Sequence, residues 1–90
     1  MKHWEFEVGQ EFRSGDKTFR CTDIGKRTIT AIRVDMVDIT QMTGGRFVSK
    51  TLDRDEAEAE GWFAGPPYAV AELVFDEDGI KACKGVDQHD

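Results

Sequence analysis

The chain has 90 residues, of which 39% are hydrophobic and 10% aromatic, and its net charge is −6. A chain of this length forms one small domain and has no room for a second domain or a deep cleft. No run of about 20 apolar residues occurs, so a membrane-spanning helix is excluded, and the first residues lack the basic and then apolar pattern of a signal peptide.

Alternating side chains and turn residues predict five antiparallel strands. Gly, Ser, Asp or Pro separates each run of β-branched and aromatic residues from the next run. In the first run, Trp4, Phe6 and Val8 alternate with polar residues, as in a strand that buries one face. The predicted strands cover residues 3–13, 17–24, 27–39, 46–52 and 68–75.

The third and fifth strands carry additional information. In the third, Val37 and Ile39 lie on the opposite parity from Ile32, so we expect the strand to bulge or end near Asp35. The fifth is almost continuously apolar, which predicts either burial on both faces or a strand shared between two sheets. The predicted core consists of Phe6, Phe12, Phe19, Ile32, Val34, Val70, Leu73 and Phe75.

Two local patterns predict a turn and helices. Gly44 and Gly45 can both adopt positive φ, as a two-residue hairpin turn requires. Asp53 followed three residues later by Glu56 is an N-cap pattern, so helix is expected in parts of residues 53–61 and again in the last turn.

These elements predict an all-β fold. The expected architecture is a small five-stranded antiparallel SH3-like barrel or roll with one short helical excursion, because closing a sheet removes its exposed edges. An open antiparallel sheet capped by a short helix is the alternative. Residues 1–85 should form a single β-rich domain, and residues 86–90 a frayed tail.

The two cysteines, Cys21 and Cys83, are 62 positions apart. Secreted domains of this size usually carry more cysteines, so we expect a cytoplasmic protein with two reduced, partly buried thiols. A disulfide between them is the alternative.

No catalytic or metal-binding pattern is present. The two histidines, His3 and His89, lie near the ends of the chain, which leaves no internal histidine base for a Ser or Cys nucleophile. Zinc-ligand pairs, calcium-loop frames and glycine-rich phosphate loops are also missing. We therefore expect a protein that is not an enzyme and holds no metal or cofactor.

Two segments carry a resemblance to known sequences. Residues 8–32, VGQEFRSGDKTFRCTDIGKRTITAI, and residues 65–80, GPPYAVAELVFDEDGI, together resemble small bacterial proteins of unknown function. The resemblance covers most of the chain and implies a bacterial cytoplasmic protein. It brings no catalytic residues with it.

The candidate binding segment is the long connection at residues 53–67 and the tyrosine that follows it. Most connections in compact domains are about 2–6 residues long, and longer ordered ones are often functional. A rigid aromatic loop would make a preorganised contact surface, although the first two aromatic rings could instead fold inward and close one end of the barrel. The candidate residues are Trp62, Phe63, Pro66, Pro67 and Tyr68.

Charge suggests the class of partner. Residues 35–90 contain thirteen acidic and five basic side chains, so we expect a protein or peptide partner of basic character. Nucleic acid or a phosphate ligand is the rival expectation, which the acidic net charge disfavours. It would need a shared basic face on the first two hairpins, formed by Arg13, Lys17, Arg20, Lys26 and Arg27.

Overall fold

The computed structural model describes residues 1–86, which form antiparallel β-structure with two short helices. After a 3₁₀ turn at His3–Glu5, the elements follow in chain order. They are β1 (Glu11–Ser14), β2 (Lys17–Ile24), β3 (Ile29–Arg33), β4 (Met36–Thr43), β5 (Arg46–Asp53), α1 (Arg54–Ala59), β6 (Glu72–Phe75), α2 (Glu77–Lys81) and β7 (Cys83–Gly85).

Five strands form one sheet in the order β6-β3-β2-β1-β7, and β4 pairs only with β5 in a separate hairpin. All pairings are antiparallel. The expected antiparallel, mostly β architecture is therefore confirmed. The outer strands β6 and β7 do not pair with each other, so the sheet within residues 1–86 is open and the predicted barrel closure is not seen.

Each face of this sheet has its own hydrophobic core, and β3 contributes to both. Ile29 and Ala31 point into the first core, where three phenylalanine rings surround Phe12 at centroid distances of 5.1–5.7 Å. Ile32 and Val34 point to the opposite face, because side chains alternate along a strand. There they form the second core together with residues of the hairpin, α1 and the loop after it: Val37, Leu52, Ala57 and Phe63.

The first predicted strand was wrong over residues 3–10. Residues His3–Glu5 instead form a 3₁₀ turn, at which the Glu5 carboxylate accepts a hydrogen bond from the Lys2 N–H at 2.8 Å. Trp4 is 77% exposed, and Val8 is also exposed. Local hydrogen bonds between side chains and the backbone therefore replace strand pairing in this segment, and β1 begins only at Glu11.

The fifth predicted strand was also wrong in extent and burial. Only Glu72–Phe75 pairs, and it forms an edge of the sheet rather than a central strand. Consequently Leu73 is exposed, Phe75 and Val70 are partly buried, and only the other five predicted core residues are fully buried. The short last strand, β7, was not predicted.

Several local predictions were confirmed. Gly44 and Gly45 have φ values of 58° and 78° and form the two-residue turn between β4 and β5. The long third strand breaks at Asp35 into β3 and β4. Asp53 caps α1, and helix α2 occupies the last turn. Both cysteines are buried free thiols.

The predicted frayed tail lies outside the described residues from residue 87 onward. Within residues 1–86, neither helix has the length and apolar character needed to cross a membrane.

Candidate functional site

A groove of about 280 Å³ lies between the hairpin and the edge strand β6. One wall is formed by Met36, Val37 and Asp38 at the start of β4 and by Arg33 at the end of β3. The opposite wall is the segment leading into β6 (residues 69–71) with Leu73, while Trp62 closes the groove between them. Most of these side chains are apolar, so the groove suits an apolar or mixed ligand.

An ion pair at the bend between β3 and β4 fixes the first wall. The Arg33 guanidinium donates to both carboxylate oxygens of Asp35, at 2.6 and 3.0 Å. These hydrogen bonds lower the pKa of Asp35 below its usual value, so the carboxylate stays charged. The Val34 N–H donates to the Thr18 carbonyl at 2.9 Å, which ties the bend to β2.

Helix α1 places Trp62. The Asp53 carboxylate accepts from the Glu56 N–H at 2.8 Å and begins the helix. Gly61, at φ 81°, ends it in the left-handed conformation that favours glycine. The Trp62 N–H then donates to the Ala57 carbonyl at 3.0 Å. This bond holds the start of the aromatic loop directly against the helix.

Four charged side chains attach α1 to the sheet. The Arg54 guanidinium donates to both oxygens of Glu11 at 2.7 Å, and Arg20 donates to Glu11 and Glu58 at 3.3 Å. The hydrogen bonds from Arg54 lower the pKa of Glu11, although partial burial of the carboxylate opposes them. A bidentate pair of this kind has a defined geometry, so it fixes the position of the helix on the sheet.

The loop after Phe63 packs around Tyr68. A Cβ atom at Gly65 would lie 2.6 Å from the Tyr68 ring, so only glycine permits this close approach. Tyr68 is partly buried against the second core, together with Trp62 and Val70. The loop is therefore an ordered layer over that core.

The outer edge of β6 lies beside the groove. β6 pairs with β3 on one side and, within the described part of the chain, has no strand on the other. Val74 is 68% exposed, and Leu73 is exposed beside the groove. An unpaired edge with exposed apolar side chains is a surface to which a further strand can be added.

The structure places the five predicted binding residues in four different environments. Trp62 is half-buried and lines the groove. Phe63 is 5% exposed and belongs to the second core, as the alternative of an inward-folded ring predicted. Pro66 and Pro67 are exposed on the loop but do not line the groove. Tyr68 is partly buried beside Gly65 and against the second core.

The sequence analysis missed the part of the groove that β4 and β6 contribute. Leu73 was predicted to be a core residue and Met36 was not singled out, yet both line the groove. The parity change at Asp35 was the available signal. A strand that breaks there must turn its next residues away from the first sheet, and so it exposes a new wall.

The basic residues of the first two hairpins are partly neutralised. Arg20 is paired with Glu11 and Glu58, and Arg27 lies 3.8 Å from Glu77. Lys26 and Arg27 instead line a second cavity, of about 360 Å³, near the N-terminus. There the Nε2 of His3 donates to the carbonyls of Gly25 and Thr28, at 2.7 and 3.2 Å.

The two thiols, Cys21 and Cys83, lie in the first core and outside the groove. Burial raises the pKa of both, so each is held as the neutral thiol. Because the thiolate is the reactive form, both side chains are expected to be chemically inert.

Comparison with known proteins gives no relative from which a role could be transferred. No protein-family model, no curated protein and no solved structure matches this chain.

Proposed function

We propose that this protein is a non-enzymatic module that binds an extended segment of a partner protein. The ligand would add a strand to the free edge of β6 and place its apolar side chains in the adjacent groove. The observation that carries this proposal is the combination of an open, apolar sheet edge with a groove beside it. Backbone hydrogen bonds would supply affinity, and Trp62 and Leu73 would select side chains.

The partner segment should be basic as well as apolar. Glu72 and Asp76 flank the exposed positions of β6, and Asp38 lines the groove. Acidic groups around an apolar edge attract a basic segment and discriminate against an acidic one.

We further infer that the five-stranded sheet is an SH3-like roll. The chain meanders through β1, β2 and β3 to β6, and its last strand, β7, returns to pair with β1. This order, with a short helix before the last strand, supports such a roll. The β4–β5 hairpin and α1 would then be an insertion between its third and fourth strands.

An array of short synthetic peptides tests the binding proposal. Peptides that alternate apolar and polar residues, in matched basic and acidic sets, should give binders among the basic set. The best peptide is then titrated against Val74→Lys and Trp62→Ala. Both variants should weaken binding by about tenfold or more, which corresponds to at least ~1.4 kcal/mol.

The matched control is Val8→Lys, which makes the same substitution at a valine of similar exposure, 64% against 68% for Val74. Binding should be unchanged in this variant. The proposal fails if no peptide binds at about 1 mM, or if Val8→Lys weakens binding as much as Val74→Lys does.

Binding of a phosphate-bearing ligand is the second proposal. The cavity near the N-terminus supports it, because Lys2, Lys26 and Lys81 all line that cavity. Pairing of Arg27 with Glu77 reduces the local positive charge, so we rank this function below peptide binding. Titration with inorganic pyrophosphate distinguishes the two proposals, because a phosphate site here would shift the NMR signals of these three lysines.

A further inference from the structure

The outer part of the β4–β5 hairpin, residues 40–50, is here called the arm. Every residue in it is exposed. Met42 and Phe47 are opposed across the two strands, and Phe47 is 74% exposed. Val48 is exposed on the other face, because it neighbours Phe47 in the strand.

The arm lacks a stabilising partner within the described residues. Neither outer edge of the hairpin is paired, and the hairpin residues that reach the second core, Val37, Ile39 and Leu52, all lie outside the arm. A two-stranded ribbon on its own is only marginally stable in water. Apolar side chains exposed on both of its faces therefore indicate a surface that another polypeptide covers.

The sequences of the arm and of the free edge are complementary. In β5, Arg46 and Lys50 enclose the triplet Phe-Val-Ser. At β6, Glu72 and Asp76 enclose the triplet Leu-Val-Phe. Both segments have charges four residues apart, with opposite signs.

An antiparallel alignment of the two segments matches every charge. Arg46 is then opposite Asp76, and Lys50 is opposite Glu72. Val48 lies opposite Val74, on the same face as these charged residues, since residues two apart share a face of a strand. On the other face, the two phenylalanine rings of Phe47 and Phe75 are opposed, a pairing that stabilises antiparallel strands.

We propose that β5 of one copy of this chain pairs with the free edge of β6 in a second copy. The inference rests on the proposed function, since it names a second copy as the partner that docks on β6. The contact is reciprocal, so that each copy gives an arm and receives one, and a two-fold dimer results.

The charge distribution fits this assembly. The arm carries two basic and no acidic residues, so the rest of the chain has a net charge of −8. With about 3.4 Å per residue, the five paired positions extend over about 17 Å of strand. The two-fold symmetry provides this contact twice, once from each arm.

Directed disulfide formation tests the register. Val48→Cys on an untagged copy and Val74→Cys on a tagged copy are mixed and mildly oxidised. A covalent heterodimer is expected, because the two positions are opposed in the proposed pairing. The native cysteines are buried and should not compete. In the control mixture, Ser49→Cys replaces Val48→Cys, and little heterodimer is expected because position 49 faces the other side of the sheet.

Charge exchange tests the same contact without a covalent bond. Lys50→Glu and Glu72→Lys should each weaken self-association by about tenfold or more, since each brings like charges together at both contacts. Mixing the two variants restores opposite charges at both contacts and should restore the dimer. Sedimentation velocity measures the association, and circular dichroism verifies that both variants are folded.

The outcomes separate this inference from the proposed function. If the native chain is monomeric at about 1 mM and no heterodimer forms, the self-pairing is refuted. The proposed function survives that result when a basic peptide still binds and Val74→Lys weakens it. Equal cross-linking in both cysteine mixtures would also refute the proposed register.

Discussion

At the scale of single residues, two adjacent aromatic side chains have different environments. Phe63 is buried in the second core, whereas Trp62 is half-buried at the groove. Phe63→Ala should therefore lower the free energy of unfolding by about 3–5 kcal/mol, a large part of a small domain's stability. Trp62→Ala should cost about 2 kcal/mol or less, because part of the ring already contacts water.

Urea denaturation of both variants, followed by circular dichroism, measures the difference. In a chain that keeps Trp62, a Trp4→Phe background assigns the tryptophan fluorescence to Trp62 and lets an external quencher report the exposure of its ring. If Trp62→Ala destabilises the domain as much as Phe63→Ala does, the Trp62 ring is a core residue, and the proposed groove loses one of its contacts.

Glu11 gives a pH-dependent prediction. Arg54 and Arg20 lower the pKa of its carboxyl below the usual 4.5, so the folded state favours the charged form. The stability that this pair supplies is present above pH 4.5 and is lost as pH falls through the lowered pKa. Glu11→Gln should cost about 1–2 kcal/mol at pH 7, within the range for hydrogen-bonded ion pairs.

Thermal unfolding of the native chain and of Glu11→Gln between pH 7 and pH 2 measures this effect. The gap between their melting temperatures should shrink below pH 4.5. Asp16→Asn is the control, because Asp16 is exposed and should show no comparable gap. A gap that is constant with pH would show that the carboxylate charge does not stabilise the fold.

At the scale of elements, the N-cap of α1 connects the hairpin to the groove. Asp53→Ala removes the hydrogen bond to the Glu56 N–H and should cost about 1 kcal/mol, whereas Asp53→Asn retains an acceptor and should cost less. Because α1 leads directly to Trp62, Asp53→Ala should also increase quenching of Trp62 fluorescence by iodide. Identical stability of the two variants would mean that the cap does not hold the helix.

Elements specified by local chemistry were predictable from the sequence. The Gly44–Gly45 turn and the Asp53 cap depend on residues within a few positions of each other, and both were confirmed. Burial of β6 depends on which strands lie beside it, which its own apolar run does not encode. The residues around Trp4 alternate like a strand, but Glu5 bonds locally to the Lys2 N–H instead.

The candidate site was only partly predictable for the same reason. Trp62 was found because an aromatic side chain in a long loop is a local signal. Met36 and Leu73 come from strands that are far apart in sequence, and their meeting at the groove depends on the break at Asp35. Phe63 is next to Trp62 in the chain, yet only the packing of α1 on the sheet decides which of the two rings is buried.

At the scale of the whole molecule, the two cores should unfold together. β3 gives Ala31 to one core and Ile32 to the other, so neither core can lose β3 without the other. The ion pairs Arg54–Glu11 and Arg20–Glu58 also join α1 to the sheet. Both cores and these ion pairs lie in the body of the molecule, by which we mean the described residues outside the arm. The arm takes no part in these contacts.

Shortening the arm tests this division. Deleting Thr40–Thr43 and Arg46–Ser49 joins Ile39 to Gly44 and Gly45 to Lys50. Two cross-strand pairs repeat the hydrogen-bond pattern, so removing four pairs keeps the turn in phase with the strands. None of the deleted side chains is buried, and the free energy of unfolding of the monomer should change by less than about 1 kcal/mol.

The matched comparison is Leu52→Ala at the base of the same hairpin, which should cost about 2–5 kcal/mol because Leu52 is fully buried. Chemical denaturation at low protein concentration measures both variants as monomers. At high concentration, the shortened chain should also lose the self-association that we propose, while Leu52 has no part in that contact. A shortened chain that unfolds like Leu52→Ala would show that the arm stabilises the body of its own molecule, and its exposed side chains would then need no partner.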